Sequence, residues 1–125
     1  MSEALGTRNW PVEIRVKSAE KLLEIDFDDG TTRRYPAEFL RVESPSAEVQ
    51  GHSPEQRQTV AGKRFVGFAK VEPVGHYAIR IHFDDGHGTG IYSWSYLYAI
   101  GRDREALWSA YLAALERKGL KRDPF

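Results

Sequence analysis

Along the first third of the chain, Val12, Ile14 and Val16 alternate with Glu13, Arg15 and Lys17, a period-2 pattern that predicts a half-buried strand. Leu23, Ile25 and Phe27 form the apolar face of a second strand, and Glu24 and Asp26 are placed to meet Arg15 and Lys17 across a hairpin. Asp29-Gly30 marks a reversal, residues 31–35 return, and Pro36 is expected as the first residue of a short helix carrying Phe39 and Leu40. Phe65 to Val71 and Tyr77 to Phe83 read as two further strands about a Pro73–Gly75 turn, with Tyr77, Ile79, Ile81 and Phe83 on one face. Asp85-Gly86 predicts another tip, Gly90 to Tyr92 a return strand, and Ser93 a cap for a helix through Trp94, Leu97 and Tyr98. The clearest helix starts at Asp103, carries Leu107, Trp108, Tyr111, Leu112 and Leu115, and stops at Gly119.

The pattern repeats. Phe27-Asp-Asp-Gly30 is followed by Tyr35 and Leu40, and Phe83-Asp-Asp-Gly86 by Tyr92 and Leu97. The expected architecture is therefore α+β: a small antiparallel β-sheet built from two hairpin-plus-short-helix units, with a C-terminal amphipathic helix. Residues 1–9 are expected to be a flexible N-terminus, 10–119 the domain and 120–125 a tail. Residues 43–62 turn to Ser, Pro, Glu, Gln and Gly with little apolar periodicity, a loop long enough to be a site or a flap.

Composition narrows the function classes. The 125 residues fit one domain, and the 18 basic and 18 acidic side chains cancel, leaving no field to draw the chain to nucleic acid or anionic lipid. No cysteine is present, which removes disulfides, thiolate metal sites and thiol nucleophiles. The chain has no long apolar run and no apolar stretch at its start, so a soluble, cytoplasmic protein is expected.

The repeat also sorts the candidate chemistry. Asp28-Asp29 and Asp84-Asp85 precede Gly in both copies, so turn formation accounts for them. His87 stands where the first copy has Thr31, and the hairpin does not require it. With His82 and Asp84 it forms the weak metal candidates, because His82-x-Asp84 has the spacing of two facial-triad iron ligands on one strand face; His52 in the long loop is the fourth member. Ser93 or Ser95 with His87 is an arithmetically possible nucleophilic set, but no G-x-S-x-G elbow frames either serine. The Gly86, Gly88, Gly90 run sits in a hairpin and opens no phosphate-binding helix. Tyr92, Trp94, Tyr96 and Tyr98 are dense for so short a stretch: Trp94 is expected in the core, while any exposed member would anchor a partner.

Three ordered segments, Tyr35-Pro-Ala-Glu-Phe-Leu-Arg41, Ser44-Pro-Ser-Ala-Glu-Val-Gln-Gly-His52 and Phe83 through Leu97, resemble the gamma-butyrobetaine hydroxylase-like N-terminal domain family over about residues 10 to 115. In relatives fused to 2-oxoglutarate oxygenases or iron-sulfur carrier ATPases, the resemblance implies a zinc module with a C-x-C-x-x-C cluster and a later histidine. Those places fall here at Ser44, Ser46, Val49 and His87, so three of the four ligands are missing and no zinc cofactor is expected. The oxygenases keep their iron and cosubstrate ligands in a separate catalytic domain. The resemblance thus implies a non-catalytic binding or adaptor module with a protein partner, for which Ser44, Ser46, His52, Trp94 and Tyr96 are the candidate contacts. The alternative is a metal-binding or redox accessory protein using the histidine cluster.

Overall fold

The computed structural model describes residues 9–125, so the expected loose N-terminus lies outside the described residues except for Asn9. Strands β1 (Pro11–Lys17), β2 (Leu22–Phe27) and β3 (Thr32–Pro36) form one antiparallel sheet in the order β1-β2-β3. Helices α1 (Ala37–Val42) and α2 (Ala47–Gln50) and a 3-10 turn (Pro54–Gln56) follow. Strands β4 (Phe68–Val74), β5 (Ala78–Phe83) and β6 (Gly90–Ser93) make a second antiparallel sheet, ordered β4-β5-β6, and α3 (Trp94–Arg102) and α4 (Arg104–Lys118) complete the α+β fold. The expected two units are present, each as its own three-stranded sheet.

A single apolar cluster joins them. Leu23, Ile25 and Phe27 of β2 pack with Ile79, Ile81 and Phe83 of β5, and with Leu40 and Leu97 from the two short helices. Burying such aliphatic and aromatic side chains contributes about 1.5–3 kcal/mol each, which is what holds the two sheets as one body.

Buried within this cluster, the two repeated tyrosines exchange partners. Tyr35 Oη donates to the Leu97 carbonyl at 2.7 Å, and Tyr92 Oη donates to the Leu40 carbonyl at 2.5 Å. Both rings are fully buried, and burial pushes both hydroxyls well above the ordinary tyrosine range, so each remains a donor. The second turn aspartate of each unit is used in the same crossed way: Tyr98 Oη donates to Asp29, and Arg41 Nε donates to Asp85. These carboxylates also make the turns expected of them, accepting from the amides of Thr31 and His87.

Several boundaries differ from the sequence reading. The third expected strand begins at Phe68, not Phe65, because Val66 N closes a turn on the Lys63 carbonyl. Pro73 lies inside β4 and not in the turn; β4 is a sheet edge, where a missing N–H costs no ladder bond. The reversal instead uses Gly75 at φ +57°, and Tyr77, expected inward, is 57% exposed beside it. Pro36 ends β3 and caps α1 from outside. Asp103 sits at the start of α4 without capping it, since both carboxylate oxygens accept from Arg102 at 3.0 Å. Leu112 faces outward at 40% exposure, leaving Tyr111 and Leu115 as the buried stripe of α4. Ser93 caps α3 by accepting from Tyr96 N, and Gly119 at φ +67° ends α4, both as expected.

The last residues pack on the body: Gly62 N and Arg64 N donate to the carbonyls of Lys121 and Arg122, and the Arg122 guanidinium clasps Glu38 and lies over Trp108.

Removing a buried tyrosine hydroxyl deletes one hydrogen bond between the units, a loss of about 1–2 kcal/mol. Tyr35→Phe and Tyr92→Phe are each expected to lower the unfolding free energy by that amount, read as a lower urea midpoint at unchanged slope, and Tyr98→Phe, at the exposed Asp29, by less. Equal losses at all three would show that the crossed bonds carry no special weight.

Candidate functional site

The one cluster that breaks the repeat lies where the long loop meets the tip of β5 and β6. Ser44 follows the C-terminal end of α1, its amide turning onto the Arg41 carbonyl, and Ser46 stands at the start of α2. His87 follows the Asp85-Gly86 turn; its carbonyl accepts from Phe83 N, and its ring leans on Phe83 with centroids 6.2 Å apart. The loop is thereby laid against the hairpin tip, and His87 becomes one of the few buried polar side chains.

Each ring nitrogen has a partner. His87 Nε2 lies 2.9 Å from Ser44 Oγ and 3.5 Å from Ser46 Oγ, and Nδ1 lies 3.2 Å from Glu48 Oε1. The arrangement assigns a neutral imidazole, with Nδ1–H donating to Glu48 and Nε2 accepting the Ser44 O–H. Burial, reinforced by Arg41 and Lys63, pushes the imidazole below its ordinary value of 6.5, and Glu48 and Asp85 oppose this only in part. Asp85 itself is held down at about 2: burial works against its charge, but Lys63, the His87 amide and Arg41 outweigh it. Ser44 Oγ also accepts from Ser46 N at 3.3 Å, and Glu48 also accepts from Thr89 at 3.0 Å.

The loop behind the cluster is ordered by polar clamps and not by apolar periodicity. Gln50 donates to the Ser44 carbonyl, and Arg57 reaches Gln50, the Val42 carbonyl and Glu43. Burial raises the Glu43 carboxyl, and Arg57 counters it. Val49 is fully buried beneath.

Ser44, His87 and Glu48 follow the connectivity of a nucleophile, base and orienting acid. The chemistry does not follow, because Ser44 is 0% exposed and its hydroxyl is already shared. Of the partner candidates, Ser44 and Ser46 are buried, Tyr96 is partly buried with its hydroxyl donated to the Glu43 carbonyl, and His52 is exposed. Trp94, expected in the core, is only partly buried. Its indole N–H donates to the His76 carbonyl, and its ring lines a cleft of about 490 Å³ with Trp10, Tyr77 and Tyr98.

The metal candidates occupy separate neighbourhoods. His82 Nε2 meets Glu72 at 3.2 Å, Asp84 accepts from Gly67 N, His52 N donates to Gln56, and His87 is taken by the serines. Among the described residues, no group of three His, Cys, Asp or Glu side chains is arranged to hold a metal ion. His82 has a place in the sheet, where its ring meets Glu72 of β4, the residue set opposite Arg80 and paired with Lys70. On the first sheet Arg15, Arg34 and Lys17 hold Glu24 at about 2.

Sequence reading missed Glu48 and the glycines. A Cβ at Gly90 would lie 2.6 Å from Ser44 Oγ, and one at Gly88 2.6 Å from His82 Nδ1. The glycine run is there to let two polar side chains close in.

Comparison with known proteins gives this geometry a context. The family model described as gamma-butyrobetaine hydroxylase-like, N-terminal, matches residues 14–98. The chain belongs to that family. Two proteins solved by NMR in solution are similar to it: one is 44% identical over 94% of this chain and 92% of its own, with a TM-score of 0.81, and another 39% identical over 95% and 89%, with a TM-score of 0.80. A crystallised protein of unknown function from Acidithiobacillus ferrooxidans ATCC 23270, of the DUF971 family, is 44% identical over 73% of this chain and 91% of its own, with a TM-score of 0.62. None of the curated proteins matches.

Ser44, Ser46 and His87, three of the places where the resemblance sets ligands, thus converge, and Val49 is buried beneath the loop that carries the serines. They do not fit zinc. Ligands on a tetrahedral zinc at about 2.0 Å stand roughly 3.3 Å apart around the ion, whereas Ser44 and His87 are bonded directly at 2.9 Å. The donors are hydroxyls that remain protonated, and valine offers no lone pair.

The depressed imidazole gives a signed expectation. The unfolded chain takes up a proton near pH 6.5 and the folded chain only at lower pH, so stability falls as pH drops below about 6.5 and levels off once the buried ring is protonated. Denaturation between pH 7.5 and 5 should show this slope, and His87→Gln should flatten it. A slope identical in the variant would show that His87 is not the group that titrates.

Proposed function

We propose that this family member is a non-catalytic binding module that docks a protein partner through the aromatic cleft of α3 and the neighbouring end of β1. The observation that carries this reading is the contrast between its two polar and aromatic sites. At the serine-histidine cluster both ring nitrogens of His87 and the Ser44 hydroxyl have partners within the chain, and Ser44 is fully buried. At the cleft, Trp10, Tyr77, Trp94 and Tyr98 offer ring surface to solvent, with the Trp94 N–H and the Tyr98 hydroxyl already satisfied. Rigid aromatics with their polar ends occupied are low-entropy anchors of the kind that dominate binding energy.

His52 is exposed on the turn between α2 and the 3-10 turn, and neither it nor the buried Ser44 and Ser46 lines the cleft. No helix among the described residues is long and apolar enough to cross a membrane.

Affinity capture with the full chain, followed by cross-linking from the cleft rim, tests the reading. Trp94→Ala and Tyr77→Ala are expected to weaken the captured complex at least ~tenfold, the scale of a truncated anchor, with unchanged circular dichroism. A complex that survives both substitutions, or cross-links that map elsewhere, would refute it. Elemental analysis of untagged protein bears on the metal or redox alternative: a stoichiometric ion lost in His87→Ala would replace the binding-module reading.

A further inference from the structure

Two sheets of three strands leave four edges, and three of them are blunted. β4 carries Pro73 in its interior, β6 is only four residues long, and on β3 the Arg34 carbonyl accepts from Arg104 Nη1 at 2.6 Å. β1 differs. It runs for seven residues with proline only at its first position, and among the described residues no strand pairs with its outer edge. Its inward row was expected to be half-buried, yet only Ile14 packs on the core; Val12 is 71% and Val16 41% exposed.

The backbone direction follows from the ladder. Asp28 N donates to the Trp10 carbonyl, and Phe27 N to the Thr31 carbonyl, so alternate residues of β2 bond to β1 and to β3. With Glu13 opposite Asp26 and Arg15 opposite Glu24, the peptide groups of Glu13 and Arg15 turn inward and those of Ile14 and Val16 turn out. The side-chain order then selects a partner. An antiparallel copy of β1 set about a two-fold axis at Ile14 lays the Glu13–Arg15 pair, joined within each chain at 3.1 Å, against its inverted copy so that unlike charges face each other, with Ile14 against itself and Val16 diagonal to it. Moving the axis to Arg15 or Glu13 places like charges face to face.

We propose that the outer edge of β1 is a self-association surface, on which a second copy of this chain pairs its own β1 antiparallel through an axis at Ile14. The two β1-β2-β3 sheets become one six-stranded sheet, and the interface is isologous, each residue counting twice. The bulge between Pro11 and Glu13 confines the pairing to the strand beyond it.

Sedimentation of the full chain over a wide concentration range tests this. The weight-average mass is expected to rise from one chain toward two. Because the axis doubles each change, Val16→Lys and, separately, Glu13→Lys should each weaken association about tenfold. Both sites are exposed enough for the variants to keep the parent circular dichroism. Hydrogen exchange supplies a second measurement: the amides of Ile14 and Val16 should gain protection only as the dimer forms. A single-chain mass at every concentration, association unchanged in both variants, or protection of those amides in the monomer would each overturn the proposal, the last by showing that the chain covers its own edge.

Discussion

The structure depends on an exchange of hydrogen bonds that neither half can make alone. A tyrosine in the apolar cluster must find an acceptor for its hydroxyl, and in each unit that acceptor is the helix carbonyl of the other. Tyr98 to Asp29 and Arg41 to Asp85 repeat the crossing at the surface. Each unit, Pro11–Val42 and Phe68–Arg102, is too short a chain to bury a core of its own, and each buried tyrosine hydroxyl finds its acceptor only once the two are joined. One core and one cooperative body follow from that geometry.

Against so regular a scaffold, the serine-histidine cluster stands out as the feature found once. His87 occupies the place of Thr31, and the long segment between α1 and β4 has no counterpart after α3, where α4 begins almost at once. The cluster fastens this segment to the hairpin tip. Three of the places where the resemblance sets ligands are close together here, and hydrogen bonds among them do the fastening. The cost of burying an imidazole is met by keeping it neutral and giving both nitrogens a partner. The segment's order rests on the same kind of contact, through Arg57, Gln50 and Glu43, which explains how twenty residues of polar composition stay in place without a strand or long helix.

The two sheet faces show a related economy of pattern. Arg15 bonds Glu24 and Asp26 on one sheet, and Glu72 pairs with Lys70 and His82 on the other. The surface that remains unsatisfied is apolar and aromatic: the cleft at Trp94 and the outer edge of β1.

The sequence alone determined the α+β class, the two hairpin-plus-helix units, the pairing of Arg15 and Lys17 with Glu24, the cap at Ser93 and the stop at Gly119, because each depends on period-2 alternation, turn residues or local capping within a few positions. It also marked His87 as the residue the fold did not require. Only the tertiary structure decided what His87 touches, since Ser44 and Glu48 lie about forty residues away and no spacing encodes that approach. It likewise decided the inward turn of Ser44 and Ser46, the half-exposure of Trp94, the place of Pro73 on an edge and the separate homes of His52, His82 and His87. Those outcomes depend on which strand is an edge and which loop crosses which tip, a choice made by the packing of the whole chain and not by any segment of it.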